Sequence, residues 1–209
     1  MQIFPRTLNW LPVVVFVAFN ALGAGATFLV WYYFSPSNTQ VGYAPAQPVP
    51  YSHRLHAGQL GIDCRYCHAQ VERAAHAMVP ATQTCMGCHA VIKKQSARLE
   101  AIRESWRTQR PVQWVRVHKL PDHAFFDHSV HLSAGVGCAT CHGRIDEMEV
   151  VRQAQPLSMG WCLECHRNPE PNLRPVSEIT NMAYSRADSP DFQPAREVHP
   201  PTHCSGCHR

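Results

Sequence analysis

Hydrophobic positions along the chain fall into three kinds of stretch. From Leu11 to Phe34 the sequence is almost continuously apolar, interrupted by Asn20, Thr27 and a few small residues, with Trp10, Trp31, Tyr32 and Tyr33 at its ends. That length spans a bilayer as a helix, and the flanking aromatics suit its two interfaces. From Ala90 to Arg107 the pattern turns amphipathic. Ile92, Leu99, Ile102 and Trp106 share one stripe, with Lys93, Lys94, Arg98 and Arg103 largely off it, which predicts a packing helix with a solvated basic face. Val112 to His118 alternates as a short strand would, with Trp114, Arg116 and His118 on one face. Elsewhere long periodic runs are few and proline is frequent, at 17 residues. Short helices joined by irregular loops are expected there.

The polar stretches repeat one signature. Cys64-Arg-Tyr-Cys67-His68, Cys85-Met-Gly-Cys88-His89, Cys138-Ala-Thr-Cys141-His142, Cys162-Leu-Glu-Cys165-His166 and Cys204-Ser-Gly-Cys207-His208 use all 10 cysteines. Cys-x-x-Cys-His is the attachment signal of c-type haem. On one helical turn the two thiols reach the two vinyl groups of a porphyrin, and the next imidazole meets the iron. Disulfides or four-cysteine zinc sites would also consume the cysteines. Neither explains a histidine after every pair. The expected cofactors are five covalently bound haems c, with His68, His89, His142, His166 and His208 as proximal ligands.

Residues 51–89 and 126–166 form an internal repeat. Tyr51-Ser-His53-Arg-Leu-His56 matches Phe126-Asp-His128-Ser-Val-His131, and Gly61 parallels Gly135 or Gly137. Val71-Glu72 matches Ile145-Asp146, and Pro80 and Pro156 precede the second motif of each copy. Each copy reads as a two-haem module. Histidines three apart on a helical turn project from one side, so they cannot take both faces of one iron. They can serve two adjacent haems, which makes His53, His56, His128 and His131 distal candidates. His118 is the fifth, and Met159 is an alternative whose thioether would raise that haem's potential. His76, His123, His199 and His203 fit the pattern less well.

Beyond the span about 175 residues remain, or about 35 per haem, too few for an ordinary core beside each cofactor. The fold expected is mainly irregular, with short α-helices packed around five c-type haems and one N-terminal transmembrane helix. Its divisions are an anchor (1–34), a Pro-rich linker (35–50) and a pentahaem domain (51–209), in which 167–209 wraps back to deliver the fifth haem. Ala24-Gly-Ala26 imitates a signal-peptide cleavage site, but apolar residues continue past it, so an uncleaved anchor is expected. Arg6 precedes the span and the next basic residue is Arg54, which places the N-terminus in the cytoplasm. Covalent haem attachment takes place outside the bacterial inner membrane, so the haem domain is expected in the periplasm. The formal charge of +4 suits arginine and lysine partners for haem propionates. No nucleic-acid motif accompanies it.

The run Val117-His118-Lys-Leu-Pro-Asp through Gly135-Val-Gly-Cys138, then Leu157-Ser-Met159-Gly-Trp161-Cys162-Leu-Glu-Cys165-His166-Arg-Asn-Pro, resembles the pentahaem cytochrome c subunit of alternative complex III. Leu60-Gly-Ile-Asp-Cys64-Arg-Tyr-Cys67-His68 and the anchor extend the likeness over most of the chain. His-x-x-His before a haem motif is more generally similar to c3- and c7-type cytochromes. The resemblance implies a respiratory electron-transfer subunit without a catalytic site of its own. It would take electrons from a quinol-oxidising membrane complex and pass them to a soluble cytochrome c, a cupredoxin or a terminal oxidase. Implied partners are a large iron–sulfur, molybdopterin-like subunit, polytopic quinol-binding subunits and a monohaem cytochrome c. Two alternatives carry their own signatures. A multihaem oxyanion reductase needs an iron with an open position, and no motif departs from Cys-x-x-Cys-His to mark one. A small membrane-anchored quinol dehydrogenase often carries Met two residues after a motif histidine, where this chain has Gln70, Val91, Arg144 and Asn168.

Overall fold

The computed structural model describes residues 5–34, 40–194 and 197–209, so part of the expected linker, 35–39, lies outside the described residues. The chain divides into two compact units, Met1–Val41 and Gly42–Arg209.

In the first unit a 3-10 turn, Arg6–Trp10, leads into helix α1, Leu11–Phe34. At 1.5 Å per residue α1 is about 36 Å long, enough to cross a hydrocarbon core. The most apolar 18 residues within Arg6–Phe34 have mean hydropathy 2.2, and none of them is buried in the protein. Its polar groups are satisfied within the helix. Asn20 Nδ2 donates to the Phe16 carbonyl at 2.8 Å and Thr27 Oγ1 to that of Gly23 at 2.9 Å. That is what an apolar solvent demands of a lone spanning helix.

The second unit is built of short helices and turns, with no strand among the described residues. In order they are a π-turn (Arg54–Gln59), α2 (Cys64–Cys67), α3 (Thr82–His89), α4 (Glu100–Thr108), α5 (His128–Ser133), α6 (Cys138–His142), α7 (Met159–Arg167) and α8 (Cys204–Cys207). Two of the five motif helices start at a side-chain cap. The Asp63 and Ser158 side chains cap α2 and α7, and Asp127 caps α5.

Two predicted elements differ. The helix expected from Ala90 begins instead as a 3-10 turn at Ala97 and runs as α4 from Glu100. The Ile92 carbonyl accepts from His89 Nδ1 at 3.0 Å, and Lys93 sits in the left-handed region at φ 54°. A continuous helix cannot pass through that corner. Ile102 carries the expected packing and is buried, whereas Ile92 and Trp106 stay exposed. The expected strand from Val112 to His118 is irregular because no strand edge meets it. The Gln47 side chain takes the place of one, donating to the Val115 carbonyl at 2.8 Å and accepting from its N–H at 2.9 Å. Residues 42–50 are thus tied along the second unit, and Gly42 and Tyr43 also bond to the backbone of Gln153.

The two repeats pack on each other. The Arg54 N–H donates to the Met148 carbonyl, and Ser52 Oγ donates to Glu149 at 2.7 Å. Gly58 lies so close to the Asp146 carbonyl that a Cβ would sit 2.2 Å from its oxygen. The stretch after α7 supplies core. Ile179 packs with Val71 and Leu132, and the Ile179 carbonyl receives the Cys138 N–H. Of the two glycines that could parallel Gly61 (φ 66°), Gly135 is the match, at φ 91°, and a Cβ there would lie 2.4 Å from the Arg174 carbonyl oxygen. Gly135→Ala is therefore expected to destabilise the second unit by about 2 kcal/mol or more, seen as a lower denaturant midpoint.

Candidate functional site

All ten motif cysteines lie on the short helices, and none is paired with another in a disulfide. Their neighbours place the motifs in a row. Burial and the nearby Cys85, Cys64 and Cys88 sulfurs push the Cys67 thiol up. Cys138 and Cys64 lie close enough to shift one another, up for Cys138 and down for Cys64, which brings the first motif of one repeat beside the first of the other. Burial, with Cys165 and Cys162 beyond it, pushes Cys141 up to about 12. Cys162 in turn is raised by burial and then by Cys207. The spatial order is second, first, third, fourth and fifth motif.

The histidines carry the same repeat into three dimensions. Tyr51 stacks on His56 with centroids 4.4 Å apart at 21° and meets His53 edge-on at 4.8 Å. Phe126 stacks on His131 at 4.5 Å and 29° and meets His128 edge-on at 4.8 Å. In both repeats the second histidine donates Nδ1–H to the carbonyl four residues back, His56 to Ser52 at 2.8 Å and His131 to Asp127 at 2.7 Å. Each then faces a motif imidazole, with centroids 6.2 Å apart for His56 and His89 and 6.1 Å for His131 and His166. His128 faces His142 at 6.4 Å with rings 8° from parallel. His53 is half-buried close to His68; burial first, then the His68 and His56 charges, lowers it to about 4.

Those separations have a meaning in coordination chemistry. With metal–imidazole bonds of about 2 Å and a ring nitrogen about 1 Å from its ring centre, two imidazoles across one metal have centres about 6 Å apart. The outer nitrogens agree. Nδ1 of His68, His89, His166 and His208 lies 2.6, 3.0, 2.8 and 3.1 Å from the carbonyls of Met78, Ile92, Pro201 and His123. A carbonyl only accepts, so each Nδ1 carries the proton and each Nε2 keeps a bare lone pair for a metal. The donor set of two thiols, a motif imidazole and a facing imidazole fits haem c. Two buried nitrogens, His53 Nδ1 and Arg174 Nε, have no partner among the described residues, and the Arg174 guanidinium lies beside Cys138.

The remaining candidates lie apart from these pairs. His118 meets His142 from a different side, with centroids 4.4 Å apart. Met159 is 67% exposed at the start of α7. His123 offers its carbonyl to His208, with ring centroids 5.4 Å apart. His76 and His203 are exposed, and His199 pairs with Glu197 at 3.3 Å. Sequence reasoning missed the carbonyl acceptors, because a backbone oxygen carries no residue identity. It also missed the role of Tyr51 and Phe126, although an aromatic two residues before each His-x-x-His was the available signal.

Comparison with known proteins agrees with this chemistry. Residues 124–209 match the family described as cytochrome c7 and related cytochrome c. Over 97 residues the chain is 31% identical to the menaquinone reductase, multiheme cytochrome c subunit, of Nitratidesulfovibrio vulgaris, which is 46% of this chain and 45% of that protein. The chain thus spans less than half the length of that relative. The matched region is related to multihaem electron-transfer cytochromes c.

Proposed function

We propose that this chain is a membrane-anchored pentahaem cytochrome c. It would carry electrons between a quinone-linked membrane complex and a periplasmic one-electron carrier or terminal oxidase, as the subunit of alternative complex III does that its motifs resemble. The observation that carries this reading is the set of three facing imidazole pairs, each joining a His-x-x-His residue to a motif histidine at 6.1–6.4 Å. Haem c, when bound, supplies reversible one-electron oxidation and reduction.

The chain's residues do the rest. The ten cysteines would tether five haems through Cys64 and Cys67, Cys85 and Cys88, Cys138 and Cys141, Cys162 and Cys165, and Cys204 and Cys207. His68, His89, His142, His166 and His208 would hold one face of each iron. His53, His56, His128 and His131 would hold the other face at the first four sites, and Tyr51 and Phe126 fix the angles of those rings. Nδ1–H donation to backbone carbonyls holds the tautomer and raises ligand basicity. The buried charge of Arg174 suits a carboxylate substituent of the cofactor. The row of motifs leaves the second and the fifth as its ends, the natural places for exchange with partners. Partners follow from the resemblance: a large iron–sulfur subunit, polytopic quinol-binding subunits and a monohaem cytochrome c, with the anchor's N-terminus in the cytoplasm.

The relative's name, a menaquinone reductase subunit, favours a second direction of flow, toward the quinone. Reduction of the purified complex by a quinol analogue, against oxidation of the pre-reduced complex by a quinone, separates the two directions. The isolated subunit should do neither, because one helix cannot enclose a quinone site. Quinol oxidation by the subunit alone would instead favour a stand-alone dehydrogenase. Ending the chain after Thr202 should remove one haem of five by pyridine haemochrome. An unchanged count would overturn the assignment of the fifth motif.

A further inference from the structure

Four of the five motif imidazoles give their Nδ1 proton to a backbone carbonyl. His142 does not. Its Nδ1 lies 3.3 Å from Nε2 of His118, with the two rings at 83° and their centres 4.4 Å apart. A gap that short leaves no room for a metal between the rings, which needs centres about 6 Å apart. His128 already faces His142 at that larger distance. His118 therefore stands behind His142 instead of across an iron from it.

We propose that His118 is a positioning residue for the haem site at Cys138 and Cys141: its Nε2 accepts the Nδ1 proton of His142, fixing that ring's tautomer and angle and tuning the reduction potential of this one site. The proposal rests on the reading above, in which His142 holds a haem iron.

The chemistry of two neutral imidazoles dictates the arrangement. Each has one donor and one acceptor nitrogen. With Nε2 of His142 turned to the site it shares with His128, its Nδ1 must donate, so His118 must present a bare Nε2 and carry its own proton on Nδ1. Arg116 Nε donates to the His118 carbonyl at 3.0 Å and steadies the backbone that delivers the ring. An imidazole nitrogen is a more basic acceptor than a peptide carbonyl. It draws the Nδ1 proton further, makes Nε2 more electron-donating and favours the oxidised iron. The third motif is the middle of the row, so its potential bears on transfer in either direction.

The test uses the full-length haem-loaded protein and two variants. His118→Phe keeps a ring and removes the acceptor; His118→Gln supplies an amide oxygen in its place. In both, haemochrome should give five haems, and the untreated protein should keep the four sites with facing imidazoles low-spin. In His118→Phe one of five redox waves should move to higher potential, by about 59 mV if the preference for oxidised iron falls tenfold. The g-values of a single low-spin signal should change with it, and His118→Gln should return both toward the original. Unmoved waves in the Phe variant would overturn the proposal. So would a new high-spin haem that binds cyanide, which would make His118 an iron ligand. If His118→Phe does not fold, a wave in His118→Gln displaced upward by more than its neighbours still supports the role, and five unchanged waves and g-values there overturn it. Fewer than five haems in the unsubstituted protein would overturn instead the reading of the motifs on which the proposal rests.

Discussion

Made where haem cannot be attached, the second unit is expected to be unfolded. Its far-UV circular dichroism should lack the signal of α2 to α8, and heating should give no cooperative transition. The reason is how little the polypeptide encloses. Only Val49, Val71, Ile102, Leu132, Met148, Leu173 and Ile179 are buried apolar side chains among the described residues. Helices of four to nine residues, such as α2 and α7, are too short to persist in water without packing. Thioether tethers and iron–imidazole bonds would act here as structural metals do in small domains, so that cofactor binding and folding are one event. A sharp thermal transition in the haem-free chain would show that the protein core suffices and that the cofactors only decorate it.

His131→Ala is expected to have the largest spectroscopic effect of any single substitution outside the motifs. His131 faces His166 at 6.1 Å, carries its proton on the side of the Asp127 carbonyl and is stacked under Phe126. Its loss should convert about one further haem in five from low-spin to high-spin, with cyanide binding gained at that site. The attachment count should stay at five, because Cys162 and Cys165 are untouched. His56→Ala should do the same at the second motif, where His89 would lose its partner. If neither variant gains a high-spin haem, another residue caps those irons, and the exposed Met159 becomes the first candidate for the fourth motif.

Much of the arrangement was legible because haem attachment writes itself into covalent spacing. The five motifs, the repeat and the helical turn that carries each His-x-x-His follow from residue types alone. Gly61 and Gly135 needed the backbone, since choosing Gly135 over Gly137 depends on which of them has positive φ. The row order of the motifs was not readable, because it depends on Cys64 meeting Cys138 across the two repeats. The helix expected from Ala90 was cut short by a histidine claiming the Ile92 carbonyl, a backbone event that hydrophobic periodicity does not register. In the same way a single glutamine side chain, Gln47, took the place of the strand partner that alternation at Val112 to His118 had implied.

The most direct measurement is an anomalous difference map of the haem-loaded protein, collected at the iron absorption edge. Five iron peaks per chain are expected, arranged in the order second, first, third, fourth and fifth motif. One peak each should lie between His56 and His89, between His128 and His142, and between His131 and His166. Fewer than five peaks, or an iron bound to only one imidazole of any of those pairs, would contradict the account.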